Sequence, residues 1–233
     1  MWLELFLCLF LAHLVADFML QTSNSCKDKV DRHWRSPSLF VHAAFVFALS
    51  WLVTFDPGFW WCALLIGAAH YCIDLWKSYR PESVTWFSLD QVLHLAVIAG
   101  AAFWWNRMHA WQVPFGIDIR IIAAIAAAIV CWKPANLFIK LMLRYYSVNV
   151  PEEKGSGFNA GALIGTVERW LILVFVCLQR YEALGLLIAA KSIIRFGDSQ
   201  TNKSEYVLAG TLLSIFIAVV CGLLLWWCMV EYR

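Results

Sequence analysis

The sequence predicts an all-α fold, a polytopic transmembrane helical bundle of about eight spans. Three observations predict it. Of the 233 residues, 62% are hydrophobic and 15% are charged, against about 25% charged in an ordinary soluble domain. Apolar runs long enough to cross a hydrocarbon core of about 30 Å recur along the whole chain. The chain holds fourteen tryptophans, and several of them sit at the ends of those runs.

Taken in order, the spans fall at about 2–20, 38–55, 59–76, 87–105, 117–133, 161–178, 182–196 and 206–229. The first has no basic n-region and no small-x-small site, so it is expected to be a retained helix rather than a cleaved signal. "FDPGF" (55–59) is a tight turn joining the second and third spans, and Pro114 and Gly116 mark the loop before the fifth. "PANLFIKLMLRYY" (134–146) spaces Lys140 and Arg144 by four and is expected to lie along the interface as an amphipathic continuation. "PEEKGSGFNAG" (151–161) is polar and Gly-rich, hence a surface loop. The seventh span is short, and the count is seven if it is re-entrant. A five-span region (1–133) and an amphipathic segment with three spans (134–233) are expected to pack as one membrane domain.

Trp60, Trp61, Trp104, Trp105, Trp226 and Trp227 fit interfacial belts. The eight cysteines are scattered, with no CxxC pair, and are expected to act as small buried hydrophobes. His33 and His109 fall in loops and carry no pattern. A net charge of +2 without a basic tail gives no sign of a nucleic-acid partner; membrane lipid is the expected surrounding. Lys and Arg flanking spans prefer the cytoplasm. The odd loops hold Lys27, Lys29, Arg32, Arg35, Lys77, Arg80, Lys140, Arg144, Lys154, Arg195 and Lys203. The even loops hold only Arg107, Arg120 and Arg180. The odd loops are therefore expected inside, with the N-terminus outside.

Against this apolar background, ionisable residues recur at one depth. "AHLVADFMLQ" sets His13 and Asp17 four apart, with Gln21 following; "AHYCIDLWK" does the same with His70 and Asp74, and Lys77 follows; "LDQVLH" holds Asp90, Gln91 and His94. His42 lies early in the second span on the same side. Residues four apart share a helix face. An ionisable group near the bilayer centre costs about 2.5–3.5 kcal/mol, so a cluster at matched depth must find its compensation in other helices. Two compensations are open. Imidazole with carboxylate suits one or two ions of a divalent transition metal, Zn, Mn or Fe. Alternatively, Lys77, Lys191 and Arg195 neutralise the three aspartates in a metal-free network. In the second half, Glu168, Arg169, Lys191, Arg195, Glu205, Tyr206 and Thr211 are expected at the same leaflet. Lys191 and Arg195, four apart, suit an anion unless Glu168 and Arg169 pair with them.

At "AHLVADFMLQ", "HYCIDLWK" and "DQVLH" the chain resembles a family of bacterial inner-membrane proteins of unknown function that carry AHLxADFxLQ, HxxxDxxK and DQxLH in that order. The resemblance covers roughly the first hundred residues. It implies that His13, Asp17, Gln21, His70, Asp74, Lys77, Asp90, Gln91 and His94 are the family's motif positions. It implies no activity.

Three functions are open. In a metal-dependent hydrolase acting on a lipid or lipid-linked phosphate, His13, Asp17, His70, Asp74, Asp90 and His94 would hold metal. Asp90 would also be the candidate general base and Lys77 a phosphate-holding residue. Gln21, His42, Gln91, Glu168, Arg169, Lys191, Arg195 and Tyr206 would support ligands or bind substrate. The alternatives are a divalent-cation or proton-coupled transporter, and a non-catalytic membrane module with a structural polar network.

Overall fold

Every stretch of regular structure among the described residues is helical. The structure, a computed structural model, describes residues 2–146, 160–196 and 201–232, without the side chains of 160, 194–196 and 201–207. Most of the predicted surface loop (151–159), with Lys154, and the side chains of Arg195, Glu205 and Tyr206 therefore lie outside the described residues.

The helices follow the predicted spans. The first span is α1 (Trp2–Leu14) continued by a π-helical turn (Val15–Leu20). A short polar helix α2 (Ser23–Arg32) comes next, then α3 (Pro37–Leu52), α4 (Trp60–Ser78), α5 (Val84–Met108) and α6 (Ile119–Val130). The later helices are α7 (Lys133–Tyr145), α8 (Ala160–Cys177), α9 (Tyr181–Phe196) and α10 (Thr201–Glu231). Five stretches are long and apolar enough to cross a membrane: Trp2–Leu20, Pro57–Ser78, Val84–Met108, Ile119–Tyr145 and Leu208–Glu231. Helices α3 and α9 have 16 residues each, about 24 Å at 1.5 Å per residue, which falls short of a hydrocarbon core. The segment predicted as an amphipathic continuation is a separate helix, α7, the second half of the Ile119–Tyr145 stretch. Trp132 breaks that stretch (φ −98°, ψ −103°) because Pro134 has no N–H and its ring clashes with the preceding turn.

Local signals set the helix starts that matter for the site. Ser36 Oγ accepts from Leu39 N at 3.2 Å ahead of Pro37, and Ser83 Oγ accepts from Trp86 N at 3.3 Å. The chain divides into two compact units, 1–126 and 127–233. In the first, α1, α3, α4 and α5 pack together and α2 lies against α3 and α4. Leu5, Leu9, Leu39, Val46, Ile66, Ile98 and Ala102 fill its core. Trp105, expected in an interfacial belt, is 2% exposed and packs edge-on against Phe59, with ring centroids 5.0 Å apart, because α5 turns it inward. His33, which carries no pattern in the sequence, is half-buried and stacks on Tyr79 at 4.0 Å.

In the second unit α8 packs on α10, around Ile172, Val176 and Ala218. Arg169 is 2% exposed and stitches this unit. It donates to the Cys131 carbonyl beside the Pro134 break (2.6 Å), to Asn136 Oδ1 (2.5 Å), to Ser214 Oγ (2.9 Å) and to Thr166 Oγ1 (3.2 Å). Glu168 pairs with Lys191.

Small residues allow close helix packing where lipid offers no hydrophobic drive. A Cβ on Gly222 would sit 2.8 Å from Val176 Cβ, whereas one on Gly100 would meet nothing within 4 Å. Gly222→Ala is expected to cost about 1–3 kcal/mol of stability, and Gly100→Ala is expected to be neutral or stabilising by up to about 1 kcal/mol. Thermal melting of the detergent-solubilised protein checks both. The corner between α2 and α3 carries a second expectation. Asp28, outside the spans, accepts from Ser36 Oγ (2.5 Å) and Ser38 N (3.2 Å), and these bonds hold its carboxyl below the usual range. A depressed folded pKa means stability that is present at neutral pH and lost as pH falls through that value. Protection of the Ser38 amide from hydrogen exchange, taken relative to the intrinsic rate at each pH, is expected to fall on the acid side of about pH 4 and to show no such step in Asp28→Asn.

Candidate metal centre

The histidines and aspartates of the paired motifs, with His42, meet at the end of the first unit's bundle where α2 lies. Asp17 is placed by the π-helical turn that ends the first span. Such a turn inserts one residue into the α ladder and re-aims the side chains beyond it, a feature common at functional sites. His13 comes from α1, His42 from the first half of α3, His70 and Asp74 from the last half of α4, and Asp90 and His94 from the first half of α5. The four imidazoles are each 2–6% exposed, and the carboxylates of Asp17 and Asp74 are 9% and 10% exposed.

The tightest group is Asp17, His42 and His70. His42 Nε2 and His70 Nε2 lie 2.9 Å apart, and each is 3.3 Å from Asp17 Oδ1. On the other side of that imidazole pair, Asp74 Oδ2 is 3.7 Å from His42 Nε2 and 3.8 Å from His70 Nε2. His13 Nδ1 approaches Asp17 Oδ1 at 3.6 Å, and His94 Nε2 approaches Asp74 Oδ1 at 3.9 Å. Among the described residues three sets have ligand atoms all within 4.8 Å of one another: His13, Asp17 and His94; Asp17, His42 and His70; His70, Asp74 and His94.

The donors have the spacing to hold a metal ion. A tetrahedral ion with bonds of about 2.0–2.1 Å keeps its ligand atoms about 3.3 Å apart. Separations of 2.9, 3.3 and 3.3 Å in the Asp17–His42–His70 triangle leave a common centre about 2 Å from each atom. Buried polar atoms without a well-formed hydrogen bond belong to the same cluster: His13 Nδ1, Asp17 Oδ1 and His94 Nε2. Such orphans are costly unless something else satisfies them.

Lysines hold two of the three aspartates. Lys29, 6% exposed on α2, donates to Asp74 Oδ2 at 2.5 Å. With its amide oxygen toward Lys29, Gln21 accepts from that ammonium at 2.6 Å and donates to the Asp17 carbonyl at 3.2 Å. Lys77 donates to Asp90 Oδ2 at 2.7 Å, and Gln91 Nε2 donates to the same oxygen at 3.1 Å. The Gln91 side-chain oxygen reaches His13 Nε2 at 3.4 Å. Asp90 Oδ1 faces His94 Nδ1 at 3.6 Å, the arrangement by which a carboxylate orients a ligating imidazole.

The structure thus brings together His13, Asp17, His70, Asp74 and His94, with Gln21 and Gln91 beside them. Asp90, predicted as a ligand and a base, belongs to none of the three sets and is engaged by Lys77 and Gln91. His42, predicted only as support, stands in the tightest set. Lys29, expected only as a basic flank of the first loop, is turned inward; nothing in a run of basic residues separates a buried lysine from solvated neighbours. Glu168, Arg169 and Lys191 belong to the second unit and bond within it.

Fold and site together define a helical membrane protein with a buried His/Asp cluster able to hold a metal ion. Residues 5–134, which span the whole cluster, match the family described as protein of unknown function (DUF3307), and the chain belongs to that family. No curated protein and no solved structure matches it.

The lysine partners set up an asymmetry. Lys77 is 36% exposed and Asp90 is 2% exposed. Lys77→Met strands a buried carboxylate and is expected to cost about 3 kcal/mol, whereas Asp90→Asn frees a lysine that can turn to water and is expected to cost about 1 kcal/mol. Paired melting measurements in detergent check the order.

Proposed function

We propose that this protein is a metal-dependent membrane hydrolase acting on a lipid or lipid-linked phosphate, with its centre toward the cytoplasmic leaflet. The observation that carries the reading is the triangle of Asp17 Oδ1, His42 Nε2 and His70 Nε2, sized for one divalent ion of Zn, Mn or Fe. When bound there, such an ion supplies Lewis acidity and lowers the pKa of a water toward neutrality.

Charge supports an anionic substrate. Three carboxylates (Asp17, Asp74, Asp90) against two lysines (Lys29, Lys77) leave one net negative charge with neutral imidazoles. A divalent ion turns that into one net positive charge, which hydroxide or a phosphate group balances. Asp90 would hold His94 in orientation at Nδ1, its own position fixed by the Lys77 ammonium and Gln91 on its other oxygen. The cluster's position favours a head group arriving from one leaflet over passage through the bilayer, because transport sites lie near the midplane. The basic-residue asymmetry supports the cytoplasmic side for that end, and the resemblance supports the bacterial inner membrane.

Elemental analysis of detergent-purified protein is expected to find stoichiometric Zn, Mn or Fe, reduced at least tenfold in Asp17→Asn and His42→Ala. Phosphate release from a lipid-phosphate mixture is expected to depend on that metal. No bound metal, with melting unchanged by chelator, sinks the reading. Metal binding with ion uptake into proteoliposomes, and no phosphate release, replaces it with transport.

A further inference from the structure

Resting on the metal reading above, we infer that the Lys29 ammonium is the second cation of this centre and limits it to a single metal ion. A two-ion site needs two donor sets about 3.5–4 Å apart, and the fold contains the makings of a second set. Asp74 Oδ1 faces His94 Nε2 at 3.9 Å, and His70, Asp74 and His94 have ligand atoms within 4.8 Å of one another. Both ring nitrogens of His94, a residue 2% exposed, lack a hydrogen-bond partner.

Lys29 stands against that second ion. Its Nζ is 2.5 Å from Asp74 Oδ2, the oxygen that also faces His42 and His70. The pair is buried, with side chains 8% and 10% exposed, so the ammonium neutralises Asp74 with little screening by water. Its place is built rather than incidental. Helix α2 is started by Thr22, whose hydroxyl accepts from Ser25 N at 3.2 Å, and Asp28 ties its far side to Ser36 and Ser38. Gln21 supplies a second acceptor to the ammonium at 2.6 Å. The charge count points the same way. Asp17 has no lysine within ion-pair distance among the described residues, so a single divalent ion leaves the cluster at one positive charge. A second divalent ion would raise it to three in a low-dielectric setting.

Titration of the metal-free protein with Mn(II), followed by electron paramagnetic resonance and elemental analysis, tests this. Wild type is expected to bind one ion per chain with an isolated Mn(II) signal. Lys29→Met is expected to bind two, with a spin-coupled signal, and Lys29→Arg to return to one. Two ions in wild type, or one ion at unchanged affinity in Lys29→Met, would overturn the assignment and leave the metal centre standing. No ion in wild type overturns both. Should Lys29→Met fail to fold, the wild-type stoichiometry decides: one supports the assignment and two sinks it.

Discussion

The carboxylate of Asp17 organises the first unit. It is buried, three imidazoles converge on its Oδ1 at 3.3–3.6 Å, and no lysine reaches it among the described residues. A buried carboxylate in so apolar a setting needs hydrogen-bond donors or a cation. The other two buried aspartates have theirs, Lys29 and Lys77. That difference makes the polar network a candidate metal centre.

The scaffold around Asp17 brings the other polar groups to its level. A π-helical turn closes the first span and moves Asp17 out of plain α register. Caps at Ser36 and Ser83 start α3 and α5, so that His42, Asp90 and His94 arrive at the same level as His70 and Asp74. The polar helix α2, too short and hydrophilic to span, brings Lys29 onto Asp74. Cost and benefit are spatially separate here: the apolar lengths of the four packed helices stabilise the bundle, and the polar cluster is confined to one end.

The second unit handles its own charges by bonding them internally. The Pro134 break exposes the Cys131 carbonyl, and Arg169 takes it up together with Asn136, Ser214 and Thr166. Lys191 is engaged by Glu168. Of the two compensations open for the aspartates, lysine neutralisation is real for Asp74 and Asp90, but one of the lysines is not the residue the sequence suggested.

Hydrophobic run length determined the helices, because backbone groups in lipid must bond within their own segment and leave few alternatives. Spacing of four determined which histidine shares a face with which aspartate. The pairs at His13 and Asp17, His70 and Asp74, and Asp90 and His94 were therefore legible in the sequence by itself, as was the family resemblance. Which pairs meet, and through which atoms, was a tertiary decision. It depends on rotation about helix axes and on the π turn, neither of which a period of 3.6 encodes. Hence His42, unpaired in sequence, stands in the tightest set, Asp90 faces a lysine, and Lys29 reaches inward: partner choice is set by distances between helices that only packing defines.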